Sequence, residues 1–303
     1  MSKPRFTLIK GEFHIFYPDN PNNGPEPDGD TITFRPDDFY WIATLKLDGP
    51  VRPDINAKRM VKVRFEGIDA LETHFIVDGN EYHQHLAFAN AARDHVMNRL
   101  GFQDVKFSPE HPNKVISVSN NPRRGYIIAD GVDVNGRVLA FVYAGDTPLA
   151  EGPYFLETAQ LDRSINLDLI RHGLAYGEFY STLPVELIKD MKNAVRQARR
   201  GEGFWPYEDV NSTKSVQIDS LEKLQSLVMW PKLFRRLASF YNQRKPNLKY
   251  FDSWLRQDPK NRDDRLLLPT CELGNMHDVV STSDQVLKLK YEPEDVIILP
   301  DNA

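Results

Sequence analysis

The sequence has a single cysteine, Cys271, in 303 residues. No disulfide can form within the chain, and a reducing compartment is the expected setting. No run approaches the roughly 20 apolar residues of a membrane-spanning helix, and the N-terminal MSKPRFTLIKGEFHIFYP lacks the apolar stretch of a signal peptide. A cytoplasmic protein without membrane association is the expectation. Positive charge is not in excess either: 38 Lys and Arg face 43 Asp and Glu, so no global field draws a polyanion. Internal repeats, low-complexity tracts, a Walker loop, a cysteine pair and GxSxG are all missing. The chain does have a composition that is 41% hydrophobic, which suffices for a sizeable core. Its length suggests two domains.

Strand-like segments dominate the first half. FTLIKGEFHIFYP (6–18), TITF (31–34) and MVKVRFE (60–66) precede a helical stripe over 83–101 that Gly101 is placed to end. In MVKVRFE, Val61, Val63 and Phe65 point one way and Lys62, Arg64 and Glu66 the other. VISVS (115–119) and YIIADGVDV (126–134) follow, then Asn135-Gly136, the preferred type I′ hairpin pair, and RVLAFVY (137–143). SINLDLIRHG (164–173) and the segment from Pro184 to Arg200 read as helices with proline and glycine punctuation. Short strands with three helices in this order suggest an α+β chain with a small β-barrel. The polar EDVNSTKSVQ (208–217) is the expected linker. It separates a domain over 1–209 from a smaller α/β C-terminal domain over 218–303. In the latter, a capping box at Asp219–Glu222 opens a helix that Pro231 is expected to interrupt. LKYFDSWLRQ (248–257) reads as a helix, and LKLKYE and VIIL as strands.

Five charged residues stand at strand starts, strand ends or adjoining turns: Asp30, Arg64, Asp69, Glu72 and Arg137. Each has an ordinary explanation. Asp28-Gly29-Asp30 suits a turn, and Arg64 and Arg137 suit solvated strand faces. Asp69-Ala-Leu-Glu72 has the spacing of a capping box, yet Phe75-Ile76-Val77 and Asp78-Gly79 leave little helix to cap. His83 and His85, with His74, make a poor zinc set, because residues two apart on a helix face different ways.

Their order together resembles the staphylococcal-nuclease (thermonuclease) family, through DGDT (28–31), RFEGIDALE (64–72) and GRVLAFVY (136–143). The resemblance continues through NLDLIRHGLAY (166–176) and GFWPYED (203–209), covering roughly residues 6–209. Three departures stand out. Leu71 replaces the usual proline before the glutamate, and Val134 and Asn135 replace a lysine and tyrosine that contact phosphate. The extra segment from Arg35 to Arg59 has no counterpart.

The resemblance implies an OB-fold barrel with helices and an endonuclease acting on DNA or RNA. It implies that Asp30 and Asp69, with the carbonyl of Ala70, hold one calcium ion, a ligand set that oxygen-rich calcium coordination suits and magnesium could share. Glu72 is then the general base, and Arg64 and Arg137 grip the phosphate. The 5′ P–O bond is cut and a 3′-phosphate left. Phe179 and Tyr180 are candidates for base stacking, with core packing as the alternative. Between Lys232 and Lys249, six basic residues (Lys232, Arg235, Arg236, Arg244, Lys245 and Lys249) alternate with Trp230, Phe234, Phe240, Tyr241 and Tyr250. This composition suits a nucleic-acid surface, or else an amphipathic helix. The rival to the nuclease reading is a catalytically silent OB-fold module that binds nucleic acid or a protein partner. A protein partner could also be met through the C-terminal domain.

Overall fold

The computed structural model describes residues 5–47, 49–243 and 247–300. Two compact units make up the chain: Met1–Glu66 with Ala92–Leu169, and Gly67–Ala91 with Ile170–Ala303. The division does not fall at the expected linker. Residues 170–217 and 218–300 share the second unit, together with the excursion 67–91.

The first unit is a barrel. Its strands are β1 (Phe6–His14), β2 (Thr31–Pro36), β3 (Val61–Phe65), β4 (Arg123–Val132) and β5 (Val138–Ala144). They run in the order β1-β2-β3-β5-β4, and β4 pairs back onto β1 from Thr7↔Ala129 to Phe13↔Arg123, which closes the sheet. All pairings are antiparallel except β3 with β5. Closure leaves these strands no open edge to protect. The expected alternation in β3 holds: Val61, Val63 and Phe65 are buried, Lys62 is exposed and Arg64 half-buried. Phe13, Phe34, Ile128 and Phe141 fill the same interior, each fully buried.

A single amide fixes the β3–β5 end. Asn166, at the start of helix Ile165–Arg171, donates to the carbonyls of Glu66 (2.9 Å) and Ala140 (3.0 Å). Its side-chain oxygen accepts from the Val142 backbone at 2.9 Å. The hairpin joining β4 to β5 differs from the expected two-residue turn. Asp133 and Arg137 close a three-residue loop, with Asp133 N–H donating to the Arg137 carbonyl at 2.9 Å. Gly136 alone within it takes a left-handed φ, 78°, the arrangement of a type I turn followed by a bulge.

The segment between β2 and β3, which sequence left unassigned, packs on this hairpin. After a one-turn helix Phe39–Ala43 capped by Asp38, Lys46 accepts from Val132 N–H and Asp54 donates to the Gly136 carbonyl, both at 2.8 Å. A Cβ at Gly136 would lie 3.0 Å from the Arg52 carbonyl oxygen. The insertion therefore braces the turn that leads into Arg137.

The second unit mixes short strands with helices. Ile68–Ala70 pairs antiparallel with Ala175–Gly177. No helix follows Glu72, which removes the capping-box explanation of Asp69 and Glu72. Instead Phe75–Val77 and Asn80–Tyr82 form a tight hairpin about Asp78-Gly79, whose φ values of 49° and 81° are those of a I′ turn. Helix α1 (Leu86–Leu100) begins thereafter, and α2 (Val185–Ala198) buries the stripe Leu187, Ile188, Met191, Ala194, Val195 and Ala198. C-terminal to these lie two small three-stranded antiparallel sheets. One comprises Ser215–Gln217, Val286–Leu289 and Val280–Ser283, the other Leu273–Asn275, Arg265–Leu267 and Ile297–Ile298. Ser220, rather than Asp219, caps a short helix Leu221–Gln225. Pro231 does not interrupt that helix but opens a new one, α3 (Pro231–Asn242), where its missing N–H costs nothing.

The last described strand is tied to the segment after Phe179. Ile298 donates to the Phe179 carbonyl at 2.8 Å and Ser181 to that of Ile298 at 2.9 Å. Arg199 lies among Glu208, Glu292 and Glu294, at 2.7, 3.0 and 2.7 Å. No described helix is long and apolar enough to cross a membrane.

Candidate active site

The residues singled out by sequence divide between the two units. In the barrel, Asp28 makes a turn: its carboxylate accepts from Gly29 N–H at 2.7 Å and its own N–H donates to the Thr31 carbonyl at 3.1 Å. This delivers Asp30 to the start of β2, 3% exposed. Register places Thr31 opposite Arg64, and Nη1 of Arg64 forms an ion pair with Oδ1 of Asp30. Strand pairing thus brings these two together, as their positions before and at the end of neighbouring strands demand. Arg137 leaves the mouth of the β4–β5 hairpin with its side chain 31% exposed. Its Nε and Nη2 each lie 2.8 Å from Asp133 Oδ2. Neighbouring Val134 is exposed and adds no polar group there.

Asp69, Ala70 and Glu72 belong to the second unit. The short pairing of Ile68–Ala70 with Ala175–Gly177 puts Asp69 opposite Tyr176 and buries it completely. Glu72 sits on the turn that follows, held by an amide. Its N–H donates to Gln84 Oε1 at 3.2 Å, and its carbonyl accepts from Gln84 N–H at 2.9 Å. Gln84 is buried, and its Nε2 donates to the Met229 carbonyl at 2.8 Å, just before α3.

That link explains what sequence did not reveal. On α3, Lys232, Arg235 and Arg236 lie at i, i+3 and i+4 and so share a face. Arg235 Nη1 and Nη2 reach Oδ1 and Oδ2 of Asp69 at 3.0 and 2.9 Å, a bidentate pair. Nη1 also donates to Glu72 Oε1 at 2.5 Å. Glu178 stands 3.9 Å from the same guanidinium and 3.4 Å from Lys232 Nζ. Lys232 also faces Asp264 at 3.4 Å and donates to the Tyr180 hydroxyl at 3.2 Å, while Arg236 pairs with Asp264 at 2.9 Å. Four carboxylates (Asp69, Glu72, Glu178, Asp264) and three cations thus form one partly buried network.

Burial alone would lower the Arg235 pKa, but the charges of Asp69, Glu72 and Glu178 outweigh it and hold the group well above its ordinary value. Lys232 is likewise held above its usual range, burial being offset by Asp264 and Glu178. Asp264 stays below its usual range although burial opposes this, because Lys232 and Arg236 flank it.

Three of the six bases, Lys232, Arg235 and Arg236, are therefore directed at carboxylates, as on the amphipathic helix of the alternative reading. Lys232 is 7% exposed and paired, Arg235 and Arg236 are paired, and Trp230, Phe234 and Phe240 are in the core. Lys249 and Tyr250 are exposed side by side; Arg244 and Lys245 lie outside the described residues. Phe179 is fully buried and packs in the core, which leaves it no face for a base. Tyr180 is held by Lys232.

A divalent ion on Asp69 would need carboxylate oxygens at about 2.3–2.6 Å. Both oxygens of Asp69 already carry the guanidinium. A divalent ion sharing that carboxylate would stand about 4 Å from the guanidinium and be repelled by roughly 8 kcal/mol at an effective dielectric of about 20. The residues as arranged do not fit a divalent ion at Asp69; they fit a guanidinium.

Residues 62–207 match the family described as staphylococcal nuclease homologue. The chain carries a domain of that family, and the closed five-stranded barrel with its helices is the corresponding OB-fold. The match includes Arg64, Asp69, Ala70, Glu72, Arg137, Phe179 and Tyr180, whereas Asp30 precedes it and Arg235 follows it. No curated protein matches the chain.

Proposed function

We propose that the protein is a phosphodiester hydrolase acting on DNA or RNA, with Glu72 as general base and Arg64 and Arg137 as phosphate ligands. The observation that carries this reading is the convergence of Asp69 and Glu72 on one positive centre. Two carboxylates brought together at a family position, one of them completely buried, form a place for positive charge. A phosphodiester repels nucleophiles through its anionic oxygens, so its hydrolysis needs such charge, arginine forks and a placed water.

In this reading Glu72 takes a proton from the attacking water. Arg64 and Arg137 trade their partners Asp30 and Asp133 for phosphate oxygens. Calcium, with magnesium as the alternative, is the cation the family resemblance implies. It does not fit beside Arg235, which occupies both oxygens of Asp69. A silent binding module, for nucleic acid or a protein, is the second reading, favoured by the fact that the chain's own Arg235 fills the centre. Cleavage of labelled DNA and RNA with calcium, magnesium or chelator tests the proposal. Metal-dependent cutting that is weak in wild type, stronger in Arg235→Gln and lost in chelator is expected; no cutting of either substrate under any condition, by wild type or by Arg235→Gln, leaves the silent module.

A further inference from the structure

We propose that Arg235 is an internal plug: a guanidinium that holds Asp69 and Glu72 closed to divalent cations until α3 withdraws it. The proposal rests on the reading of Asp69 as a cation ligand. The contact is built rather than incidental. It is bidentate on Asp69, shared with Glu72, and aimed by a helix whose other face buries Leu233, Phe234 and Leu237. Lys232 and Arg236 fix the same helix face on Asp264, and Ser239 hydrogen-bonds the Arg235 carbonyl. Gln84 joins the carboxylate turn to the residue group that opens α3, so the turn and the plug are positioned by one side chain.

The chemistry of exclusion is simple. Guanidinium and divalent ion compete for the same two oxygens of Asp69, and like charges that close exclude each other. An arginine stays protonated at any physiological pH, so acidity cannot release it; only movement of the helix or loss of the side chain can. The two parts are far apart in sequence, Asp69 and Arg235 by 166 residues. The plug therefore belongs to the region outside the family match, while the carboxylates belong inside it. Such a division lets a partner that displaces α3 control a site it never touches.

Calcium binding to the full chain tests this directly, by calorimetry and by the calcium-induced shift in melting temperature. Wild type is expected to show little binding. Arg235→Gln should bind calcium at least ten times more tightly and gain thermal stability from it, and Asp69→Asn added to that variant should abolish the gain. Arg235→Lys keeps the positive charge and should behave nearly as wild type. Because Arg235→Gln strands two carboxylates, a second variant, Arg235→Gln with Glu72→Gln, leaves only one and offers the same readout on Asp69. Calcium binding by wild type equal to that of the variants overturns the plug. So does a folded variant that binds no calcium. Variants that remain unfolded with and without calcium also overturn it, for then the guanidinium is a permanent structural ion. Calcium binding unmasked in Arg235→Gln without any cleavage would sink the nuclease reading and leave the plug standing.

Discussion

The barrel and the second unit differ in how much buried charge they carry: the barrel pairs Asp30 with Arg64, and the second unit builds whole networks. The barrel interior is made of apolar side chains, with β3 alternating residue by residue and β4 buried without a break from Gly125 to Val132. The second unit also buries a large apolar set, but it threads ion pairs through it: Arg235 with Asp69 and Glu72, Lys232 with Glu178 and Asp264, Arg199 with Glu208 and Glu294. Apolar packing is tolerant and non-directional. Buried charge is neither, because removing one partner strands the other in a low dielectric. The barrel should therefore fail gradually on substitution, and the second unit abruptly.

The sharpest contrast lies in chemistry. Under the nuclease proposal, Glu72→Gln should lower phosphodiester cleavage about 10²–10⁴-fold, the usual range for loss of a general base. Gln keeps the shape, the Glu72 backbone remains bonded to Gln84 and Arg235 is not stranded because Asp69 still pairs with it, so melting temperature should change little by comparison. A near-normal cleavage rate would show that the carboxylate serves only its ion pair with Arg235.

The next effect concerns stability. Arg199→Met removes the cation shared by Glu208 and Glu294, each 2% exposed. Denaturant titration should show a loss of about 3–5 kcal/mol, the range for breaking a buried pair. Adding Glu208→Gln and Glu294→Gln should recover a good part of it. If the single variant loses less than about 1 kcal/mol, solvation of the stranded acids is easy and the contrast between the units is false.

The barrel also buries polar groups, Asp30 and His14 among them, and His14 gives the smallest effect. His14, at the end of β1, is held neutral: burial, helped by Arg35 and Lys58 and opposed by Glu12, lowers its pKa from 6.5 to about 4. The unfolded chain binds a proton below pH 6.5 that the folded chain accepts only near 4. His14 thus contributes no penalty above pH 6.5, and stability is lost as pH falls through the window down to about 4. The loss should be about 1–3 kcal/mol. Replacing His14 by Gln should flatten that part of the stability profile; an unchanged profile would place the acid sensitivity elsewhere.

Much of the barrel was legible because β-strands state their burial locally. Val61, Val63 and Phe65 predict their facing, whereas the meeting of Asp30 with Arg64 emerges only from the β2–β3 register. The turn at Asn135-Gly136 was read as two residues instead of three, since the pair fits either loop and only the bond from Asp133 to Arg137 decides. Pro231 was read as a break because proline at a first helical turn and proline in a helix interior look alike until the cap is known. The role of Arg235 was not legible at all. A basic face at i, i+3 and i+4 has the same pattern whether it meets water or carboxylates, and Glu72 is 163 residues away. Sequence did hold one faint sign: no acidic residue lies among the bases of α3 to answer them locally.

Gln84 has a consequence for how the protein breathes. Its side chain holds the Glu72 amide and the Met229 carbonyl, and its own amide is held by Glu72. A fluctuation that pulls Met229 away from Gln84 loosens the grip on Glu72, so the amide protons of residues 72 and 84 belong to the same opening event as the start of α3. In a hydrogen-exchange measurement they should open as one cooperative block with a region some 145 residues further along the chain. The turn that carries the carboxylates would then take its protection from exchange from the C-terminal segment, and any event that frees that segment would be registered at Glu72 first as a faster-exchanging amide.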